Sequence, residues 1–349
     1  VRDGPGRRGP GRRGRRPYIV VHTDGGFSRD WSIETERLAA MGARFVPTVA
    51  TTEEELVANT READALCVTS ARISRRVIEN LERCRVIVRY GVGFDVVDVE
   101  AATERGIMVC TMPDFCTEEV ANHALLLLLA CNRRLVMLHD RMRDGVWGRP
   151  ELRAIGPLYG ETLGVIGYGR IGRAMARRAR ALGMRVIAAD PYTTEPPEAD
   201  DRILPLDAVL AEADYVSIHT PLTAETRGLF DERTLRLMRR HAYLINTARG
   251  PVIDQAALLR ALTEGWIAGA GLDVFESEPI TVENPLLRLA NVVLTPHSAF
   301  YSEASVQRQH EKAAENVIAA LMGARPPGLL NDGVWSAAGT PSPGPSPTA

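Results

Sequence analysis

The stretch TLGVIGYGRIG, residues 162–172, joins an apolar run to the glycine pattern GxGxxG. The apolar run predicts a buried β-strand, and the amphipathic residues 171–182 that follow predict a helix. In such a strand–turn–helix unit, Gly167 permits the tight turn, Gly169 lets a phosphate approach the backbone, and Gly172 lets the helix pack closely on the strand. The N-terminus of the helix offers free N–H groups and a positive dipole to anions. The stretch therefore predicts a dinucleotide-binding site.

An acidic residue, Asp190, ends the next apolar stretch, eighteen residues after Gly172. At this position a carboxylate accepts hydrogen bonds from the adenosine ribose and repels a 2′-phosphate. Pro191 and Tyr192 follow it, so no arginine stands there to compensate such a phosphate. We therefore expect NAD rather than NADP as the cofactor. The glycine loop supplies the other contacts expected around the phosphates: Gly167, Tyr168, Gly169, Arg170, Ile171 and Gly172.

Short apolar stretches alternate with amphipathic stretches on both sides of this motif, which predicts parallel sheets covered by helices. One series of predicted strands comes before the motif: 18–24, 43–49, 65–70, 85–90 and 107–111. A second series begins at the motif: 162–169, 185–190, 215–220, 242–247, 269–275 and 291–296. Two separate series predict an α/β fold made of two doubly wound parallel-sheet domains.

Residues 117–143 predict one long helix between the two series of strands. Its start carries Glu118 and Glu119, and acidic side chains favour a helix N-terminus. The segment ANHALLLLLA (121–130) is apolar nearly all round, so we expect it to be buried on several sides, at a domain or subunit interface. A last helix is predicted over 302–322.

The composition excludes several classes of protein. Hydrophobic residues make up 45% and charged residues 25% of the 349 residues, as in ordinary globular proteins. The longest apolar run, 124–131, is far shorter than the roughly 20 residues of a membrane-spanning helix. The five cysteines include no CxxC pair, which predicts reduced thiols in a cytoplasmic protein rather than a disulfide scaffold.

The charge is divided unevenly along the chain. The first sixteen residues hold seven arginines and one aspartate, or +6, which leaves −8 for the rest of a chain with a net charge of −2. An acidic body argues against nucleic acid as the main partner. We expect a disordered basic leader over 1–16, since no apolar segment of a signal peptide follows it. We also expect a disordered tail over 333–349, which is rich in Pro and Ser.

Three residues with side chains suited to hydride-transfer chemistry follow predicted strands: Arg249 in NTARG, Glu278 in FESEP and His297 in LTPHSA. The carboxyl edge of an open α/β sheet is where ligands bind. A guanidinium can hold the carboxylate and polarise the carbonyl of a 2-keto acid, and a histidine can deliver the proton. A carboxylate beside that histidine would orient its ring. Spacing in the sequence does not show that the three residues meet, and each alone is also compatible with an ordinary surface charge.

Six stretches, in order, resemble the D-isomer-specific 2-hydroxyacid dehydrogenase family over residues 65–330. They are RYGVGFDVVD (89–98), GETLGVIGYGRIG (160–172), HTPLTAETRGLF (219–230), INTARGPVID (245–254), GLDVFESEP (271–279) and TPHSAFYSE (295–303). The resemblance implies an NAD-dependent oxidoreductase whose catalytic triad is Arg249, Glu278 and His297. In this triad Arg249 binds the carboxylate and carbonyl, and His297 is the acid/base that pairs with Glu278.

The resemblance also implies further contacts to the cofactor: His219, Thr220, Pro221, Thr226, Thr247, Ala248 and Asp273. Of these, Asp273 is expected at the nicotinamide carboxamide, and Thr247 and Ala248 beside the nicotinamide. His219 is expected to line the cofactor site rather than to act as an acid. We expect no metal in the site.

The first predicted domain is expected, by resemblance, to bind the substrate. The N–H groups of Val92 and Gly93 are expected to hold the substrate carboxylate, and glycine allows that close approach. Arg89 precedes them and is placed to reach a second acidic group. Ser70 and Arg72 lie in another loop that contacts substrate in the family.

Two branches of the family fit these stretches. RYGVGFDVVD and TARGP resemble phosphoglycerate dehydrogenases, whereas the region around FYSE resembles the C-terminal-binding proteins, which are NADH-sensing corepressors. In the second branch a tryptophan packs on the substrate where Phe300 stands here, so we expect Phe300 to contact the substrate and the substrate to have an apolar or bulky face. We predict a reversible dehydrogenase that transfers hydride between NADH and a 2-keto acid. The alternative is an NADH-sensing corepressor or scaffold with weak activity, and formate or phosphite dehydrogenases of the same fold are a more distant one.

The predicted organisation combines the pattern with the resemblance. A flavodoxin-like substrate domain is expected from 17–116 together with 299–332, and a Rossmann NAD domain from 117–298. The apolar helix that begins at Thr117 predicts a homodimer formed through the cofactor domains, as in the family.

Overall fold

A computed structural model describes residues 16–24, 30–148, 156–194 and 196–337. The chain divides into two compact units. The first unit comprises Val1–Met112 and Gln309–Ala349, and the second comprises Pro113–Arg308. Each unit is built on one sheet in which all paired strands are parallel.

The first unit has a five-stranded sheet in the order β2-β1-β3-β4-β5. Its strands are β1 (Tyr18–His22), β2 (Ala43–Pro47), β3 (Ala65–Val68), β4 (Val86–Arg89) and β5 (Met108–Cys110). Its helices before residue 112 are α1 (Ser32–Ala40), α2 (Glu53–Thr60), α3 (Arg75–Glu79) and α4 (Val99–Glu104). This is the doubly wound order of flavodoxin-like domains, and it confirms the predicted fold class.

The second unit has a seven-stranded sheet in the order β12-β11-β10-β9-β6-β7-β8. Its strands are β6 (Thr162–Ile166), β7 (Arg185–Ala189), β8 (Arg202–Ile203), β9 (Tyr215–Ile218), β10 (Tyr243–Asn246), β11 (Gly269–Leu272) and β12 (Val292–Leu294). Its helices are α5 (Thr117–Arg133), α6 (Leu135–Arg143), α7 (Arg170–Ala181), α8 (Leu206–Glu212), α9 (Glu232–Leu237) and α10 (Gln255–Thr263). Chain order reverses between β6 and β9, which is the switch point where a Rossmann sheet binds its ligand.

Two apolar layers cover the sheet of the second unit. Residues of α5 and α7 pack on one face with Leu163 and Val165 of β6. Residues of α8, α9 and α10 pack on the other face with Val216 of β9 and Leu244 of β10. All five residues of β6 are buried, as expected of a central parallel strand with helices on both sides.

The predicted long helix over 117–143 is wrong, because the helix breaks into α5 and α6. Arg134 lies in the left-handed region at φ 52°, and its N–H bonds back to the carbonyls of Ala130 and Cys131, which ends α5. The two helix axes differ by 63°. Glycine or asparagine usually marks such an ending, so the arginine gave no signal in the sequence. Within the described residues no helix alone has the length and hydropathy of a membrane span; only the bent pair meets that criterion, when taken together.

The units divide four residues earlier and ten residues later than the boundaries expected at 116/117 and 298/299. The second division falls inside α11 (Glu303–Leu321). Residues 299–308 group with the second unit because Ser302 and Arg308 both bind Glu119 of α5, at 2.9 and 2.5 Å. Arg308 Nε also donates to the Phe115 carbonyl at 2.9 Å.

The structure describes a part of each end of the chain that was expected to be disordered. Arg16 belongs to the described residues, and its guanidinium forms an ion pair with Asp64 at 3.2 Å. The expected tail over 333–349 is wrong at its start, because residues 332–337 form a helix, α12 (Asp332–Ala337), in which Val334 is buried. Residues 1–15 and 338–349 lie outside the described part of the chain.

Candidate active site

In the glycine turn after β6, Gly167 and Gly172 lie very close to neighbouring backbone atoms, whereas Gly169 faces open space. A Cβ on Gly167, which has φ 91°, would lie 2.8 Å from the His219 carbonyl, and a Cβ on Gly172 would lie 2.1 Å from the Gly167 oxygen. A Cβ on Gly169 would meet nothing within 4 Å. Two of the glycines are therefore required by the protein itself, whereas the third leaves room for a ligand at the backbone.

One side of α7, from Arg170 to Arg177, lines a cavity of about 620 Å³. Gly169 is the N-cap residue of α7, and no side chain caps the helix, so its first N–H groups are left for another acceptor. Four arginines and the start of α5 line the cavity: Asp114, Thr117, Glu118, Glu119, Arg170, Arg173, Arg177 and Arg308. An uncapped N-terminus beside arginines fits the pyrophosphate of a dinucleotide.

Asp190 directly follows β7, as predicted. Its Oδ2 accepts the N–H of Tyr168 at 2.8 Å, and its Oδ1 accepts the N–H of Tyr192 at 2.9 Å. The Tyr168 side chain is buried, donates to Asp201 and lies under Arg173, whose guanidinium carbon is 4.4 Å from the ring centroid. The structure therefore leaves only the backbone of Tyr168 in the glycine turn, while its ring belongs to the core.

The turn after β9 is held by Thr226. Its Oγ1 donates to the Pro221 carbonyl at 2.6 Å and accepts the N–H of Thr223 at 2.8 Å. Burial lowers the pKa of His219 to about 4, and its Nε2 lies 2.9 Å from Ser217 Oγ. His219 is therefore uncharged at neutral pH and cannot serve as the proton donor there. Thr220 Oγ1 is buried and has no hydrogen-bond partner within the described residues.

The turn after β10 is organised by Asn246, which the sequence analysis did not single out. Its Nδ2 donates to the Arg249 carbonyl at 2.9 Å, and its Oδ1 accepts the N–H of Ala248 at 3.0 Å. The hydroxyl of Thr247 between them is buried without a partner among the residues that the structure describes. Thr220 and Thr247 thus present two unpaired hydroxyls at the edge predicted to hold the cofactor, and buried polar atoms normally have partners.

The structure brings the three predicted catalytic residues to one edge of the second unit. His297 Nδ1 lies 2.6 Å from Glu278 Oε2, and Glu278 Oε1 accepts the N–H of Phe275 at 2.8 Å. Burial would raise the pKa of the Glu278 carboxyl, but the His297 bond and charge, the Phe275 N–H and the charge of Arg249 outweigh it and lower that pKa. The carboxylate is therefore charged at neutral pH.

Gly250 lets the Arg249 turn pack on the Glu278 loop. A Cβ at Gly250 would lie 1.9 Å from the carbonyl carbon and oxygen of Phe275. Only glycine allows this approach. It brings Gly250, the residue after Arg249, against the backbone of Phe275, whose N–H donates to Glu278. The glycine of the TARG stretch (247–250) is the feature of the sequence that marks this contact, although the sequence does not show which residue it approaches.

His297 occupies a turn with unusual backbone geometry. Its φ is 51°, in the left-handed region, which costs a non-glycine residue about 1–3 kcal/mol. Its N–H donates to the Asp273 carbonyl at 2.7 Å. The Asp273 carboxylate is fully buried and accepts the N–H groups of Ser298 and Ala299, each at 2.9 Å. Asp273 thus ties down the residues after His297; its contact with the nicotinamide stays a prediction.

Phe300 follows this turn and is half-buried. Its ring centroid lies 6.5 Å from that of His297 and 6.3 Å from that of Phe115. An apolar ring therefore stands near the His297 imidazole, and its contact with the substrate stays a prediction.

In the first unit, Arg89 lies across the backbone of its own loop. Its Nη1 donates to the Tyr90 carbonyl at 2.7 Å, and a Cβ on Gly91, which has φ 150°, would lie 1.4 Å from that nitrogen. The N–H groups of Val92 and Gly93 have no backbone acceptor within the described residues. The loop therefore combines a guanidinium with two available donors, which suits an anion.

The Ser70 loop of the first unit is organised by Asp24, a residue that the sequence analysis missed. Asp24 Oδ1 accepts hydrogen bonds from the Ser70 hydroxyl and the N–H of Ala71, both at 2.8 Å. Its Oδ2 accepts one from the N–H of Thr69 at 2.9 Å. Burial opposes ionisation, but these hydrogen bonds and that of Thr23 keep the pKa of Asp24 below its usual value. Arg72, in the same loop, is exposed.

Comparison with known proteins identifies this arrangement. Residues 125–299, which lie in the second unit, match the family model described as D-isomer specific 2-hydroxyacid dehydrogenase, NAD binding domain. The chain belongs to this family. It is therefore an NAD-binding oxidoreductase of 2-hydroxy acids with a Rossmann domain, as the six stretches of sequence implied.

Individual members of the D-2-hydroxyacid dehydrogenase family resemble the chain over most of its length. A glyoxylate reductase of Korarchaeum cryptofilum is 45% identical over 285 residues, which cover 80% of this chain and 86% of the relative. The structure of D-lactate dehydrogenase from Aquifex aeolicus with NAD and lactic acid is 31% identical, with a TM-score of 0.78, and covers 87% of this chain and 96% of that one.

A third similar protein has a bound NADP. The NADPH-dependent glyoxylate/hydroxypyruvate reductase from Sinorhizobium meliloti, in complex with NADP and malonate, is 32% identical with a TM-score of 0.80. The match covers 91% of this chain and 98% of that protein. None of these three relatives is named as a phosphoglycerate dehydrogenase or a corepressor, so neither branch suggested by the sequence gains support from them.

Proposed function

We propose that this protein is an NAD-dependent D-2-hydroxyacid dehydrogenase that transfers hydride reversibly between NADH and C2 of a small 2-keto acid. The observation that carries the proposal is the hydrogen bond of 2.6 Å between His297 and Glu278, near the charge of Arg249. These residues follow β12, β11 and β10, which are adjacent strands, so their carboxyl ends share one edge of the sheet. A cation, an acid and an orienting carboxylate are the groups that reduction of a keto acid requires.

Each of these residues of the second unit would have its own role in the reaction. When bound, NADH supplies the hydride. The Arg249 guanidinium holds the substrate carboxylate and polarises the carbonyl by bidentate hydrogen bonds. His297 donates the Nε2 proton to the oxygen on which charge develops, and in the reverse direction it removes that proton. Glu278 holds Nδ1 and stabilises the imidazolium, which keeps the ring oriented for this transfer.

The residues that would hold NAD fit its chemistry. The N–H groups at the start of α7 and the open space at Gly169 suit the pyrophosphate. Asp190 suits the ribose hydroxyls, and the unpaired hydroxyls of Thr220 and Thr247 suit the polar groups nearer the nicotinamide. The lack of a basic residue beside Asp190 in the sequence favours NADH over NADPH, in contrast to the NADP-bound relative.

Glyoxylate is the substrate that the relatives favour, since several proteins more than 40% identical to this chain are named glyoxylate reductase. Hydroxypyruvate is the next candidate, from the name of the Sinorhizobium relative. The phosphorylated substrate of a phosphoglycerate dehydrogenase would need a second cationic group, for which Arg89 is the candidate. The substrate contacts predicted in the first unit, Arg89, Val92, Gly93 and Ser70, stay predictions.

The test is to follow NADH absorbance at 340 nm with glyoxylate, hydroxypyruvate, 3-phosphohydroxypyruvate and phenylpyruvate, and to repeat the series with NADPH. We expect glyoxylate to be reduced faster than the phosphorylated or aromatic acid, and NADH to be preferred. Arg249→Ala should abolish turnover, while the matched Arg249→Lys should retain a charge but lose bidentate binding and most of the activity. Native turnover in Arg249→Ala would contradict the proposal. So would NADH binding with no reduction of any 2-keto acid.

We also propose that the protein is a homodimer formed through α5 and α6. Large apolar side chains are exposed along these helices and just after them: Leu126, Leu135, Val136, Met142, Val146 and Trp147. Apolar surface of this extent on neighbouring turns is typical of a protein interface. Sedimentation should give about twice the 38.1 kDa of the chain, and Leu135→Asp should shift it toward the monomer. A native protein that sediments as a monomer would refute the dimer.

A further inference from the structure

His123 is a polar residue that the proposed mechanism does not use. It lies on α5 within the apolar segment 121–130, and its side chain is only 16% exposed. It shares a helix face with Leu127, four residues later. A Cβ on Gly271 of β11 would lie 2.9 Å from Leu127 Cβ, so this glycine lets α5 pack directly on the strand. The packing fixes His123 close to Asp273, the residue that follows β11.

The His123 ring reaches the turn before His297 through one hydroxyl. Thr295 Oγ1 donates to Asp273 Oδ1 at 2.6 Å. Since its proton is used in this way, the hydroxyl accepts from the Nε2–H of His123, which lies 2.9 Å away. The same nitrogen is 3.6 Å from Asp273 Oδ1. His123 therefore holds the Thr295 hydroxyl and lies beside the Asp273 carboxylate that this hydroxyl binds.

The Asp273 carboxylate carries this restraint to both sides of the catalytic histidine. On one side it accepts the Thr295 hydroxyl, and on the other it accepts the N–H groups of Ser298 and Ala299. His297 lies between these attachments in the left-handed conformation, which relaxes unless the surroundings hold it. The direction of the His297 ring toward Glu278 depends on this conformation.

We propose that His123 is a positioning residue for the acid/base His297, acting through Thr295 and Asp273. The role rests on the proposed function, because it assumes that His297 transfers the proton. The His123 N–H fixes the Thr295 hydroxyl in the one rotamer that points at Asp273. Without it, the hydroxyl is free to rotate, Asp273 loses a donor, and the turn that carries His297 loosens. A small displacement of a catalytic group lowers the rate of chemistry far more than it lowers binding.

The test compares three variants in NADH-dependent reduction of glyoxylate. His123→Leu removes the donor but keeps an apolar side chain on α5, and it should lower kcat about 10- to 100-fold. The KM for NADH should change far less than kcat, because the glycine turn is untouched and Asp273, which is predicted to contact the nicotinamide, keeps the N–H groups of Ser298 and Ala299. His123→Gln, whose amide nitrogen can replace Nε2–H, should restore most of kcat. The matched control is Asn122→Ala on the same helix, since Asn122 contacts Arg178 and not the turn.

A second readout does not depend on turnover. The proton between His297 Nδ1 and the Glu278 carboxylate should give a downfield proton NMR resonance in the cofactor-free protein. This resonance should persist in Asn122→Ala and His123→Gln and broaden or disappear in His123→Leu. If His123→Leu does not fold, as judged by its thermal melt, Thr295→Val carries the same test, because it removes the hydroxyl from the other end of the contact.

The two readouts separate the positioning role from the proposed function. A His123→Leu protein with native kcat and an unchanged resonance overturns the positioning role while leaving the dehydrogenase intact. If native protein reduces no 2-keto acid but the resonance is lost in His123→Leu, the proposed function fails and the link from His123 to the His297–Glu278 pair stands. The double variant His123→Leu/Thr295→Val should be no slower than the slower single variant, because both changes break one contact.

Discussion

His219 and His297 both follow carboxyl ends of strands in the second unit, yet their surroundings differ. The ring of His219 faces the neutral hydroxyl of Ser217 at 2.9 Å, and burial lowers its pKa to about 4. The ring of His297 is partly exposed and faces the Glu278 carboxylate at 2.6 Å. Burial disfavours the charged form of a histidine, whereas a neighbouring carboxylate favours it. The environment of each ring, rather than its place after a strand, therefore distinguishes the proposed acid/base His297 from His219.

A third histidine, His241, shows that a carboxylate partner is not sufficient either. Its Nε2 lies 2.8 Å from Asp214 Oδ1, nearly the geometry of the catalytic pair. However, Asp214 and His241 precede β9 and β10, so they lie at the amino edge of the sheet, opposite the glycine turn. With Glu161, they form a group whose ligand atoms lie within 4.8 Å of one another. The proposed catalytic pair lies instead at the edge that also carries Arg249 and the glycine turn.

The largest effect should come from exchanging the two histidines for asparagine, one at a time. His297→Asn should lower kcat for glyoxylate reduction by about 10²–10⁴-fold, because it removes the proton donor. His219→Asn should lower kcat by less than about 10-fold and act mainly on the KM for NADH. Steady-state kinetics at 340 nm measure both. Equal losses of kcat in the two variants would contradict the conclusion that His297, and not His219, donates the proton.

The next effect concerns the carboxylate beside His297. Glu278→Gln keeps a hydrogen-bond acceptor but removes the charge that favours the imidazolium form of its neighbour. We expect kcat to fall about 10- to 100-fold, because the charge that orients the ring and stabilises the proton donor is lost. Steady-state kinetics at pH 7 check this, with native protein as the reference. A native kcat in Glu278→Gln would show that the hydrogen bond is sufficient without the charge.

A third prediction tests the pair at the opposite edge. Burial raises the pKa of Asp214, but hydrogen bonds from Glu161, His241, Thr162 and Arg239 lower it to about 2. Since this pKa lies below the ordinary value of 3.8, Asp214 contributes stability above about pH 4 and loses it as pH falls toward 2. Asp214→Asn should therefore destabilise the protein by about 1–3 kcal/mol at pH 7, with a smaller difference at pH 3.

Denaturant unfolding at pH 7 and pH 3 measures that difference, and the kcat of Asp214→Asn at pH 7 serves as its control. We expect this kcat to stay within about 2-fold of native, because Asp214 is at the far edge of the sheet. A large loss of kcat at unchanged stability would mean that His241 and Asp214 take part in catalysis after all.

The smallest effect should come from Ser217→Ala, which removes the hydroxyl beside His219. Because burial is the only cause that lowers the pKa of His219, the ring should stay uncharged without its partner. We expect kcat and its pH profile to change by less than about 2-fold. A new titration near neutral pH in Ser217→Ala would show that the hydroxyl, not burial, controls the ring.

Much of the fold followed from local pattern. The glycine turn, Asp190 and most strands lie where the apolar runs and the GxGxxG spacing placed them, because these features depend on neighbours along the chain. The N-cap of α2 is of the same local kind, since Thr52 Oγ1 accepts the N–H of Glu55 at 3.2 Å. The break at Arg134 was not, since an arginine in the left-handed conformation has no compositional signature.

The candidate site was predicted by residue type but not by geometry. Arg249, Glu278 and His297 were singled out from their position after strands and from resemblance. The residues that hold them in place were missed: Asn246 and His123 look like ordinary polar residues in a buried strand and an apolar helix. A polar residue within an apolar segment was the available signal, and the sequence does not say which group it contacts.

Periodicity, glycine spacing and charge in the sequence are sufficient for the α/β class, the nucleotide turn and the identity of the reactive groups, because each reflects interactions within a few residues. The meeting of Glu278 and His297, 19 residues apart, depends instead on the strand order β12-β11-β10. The left-handed turn at His297 and its restraint by Asp273 likewise need α5 to pack on β11. These contacts arise from the burial of apolar surface across the whole sheet, which acts between segments distant in the sequence.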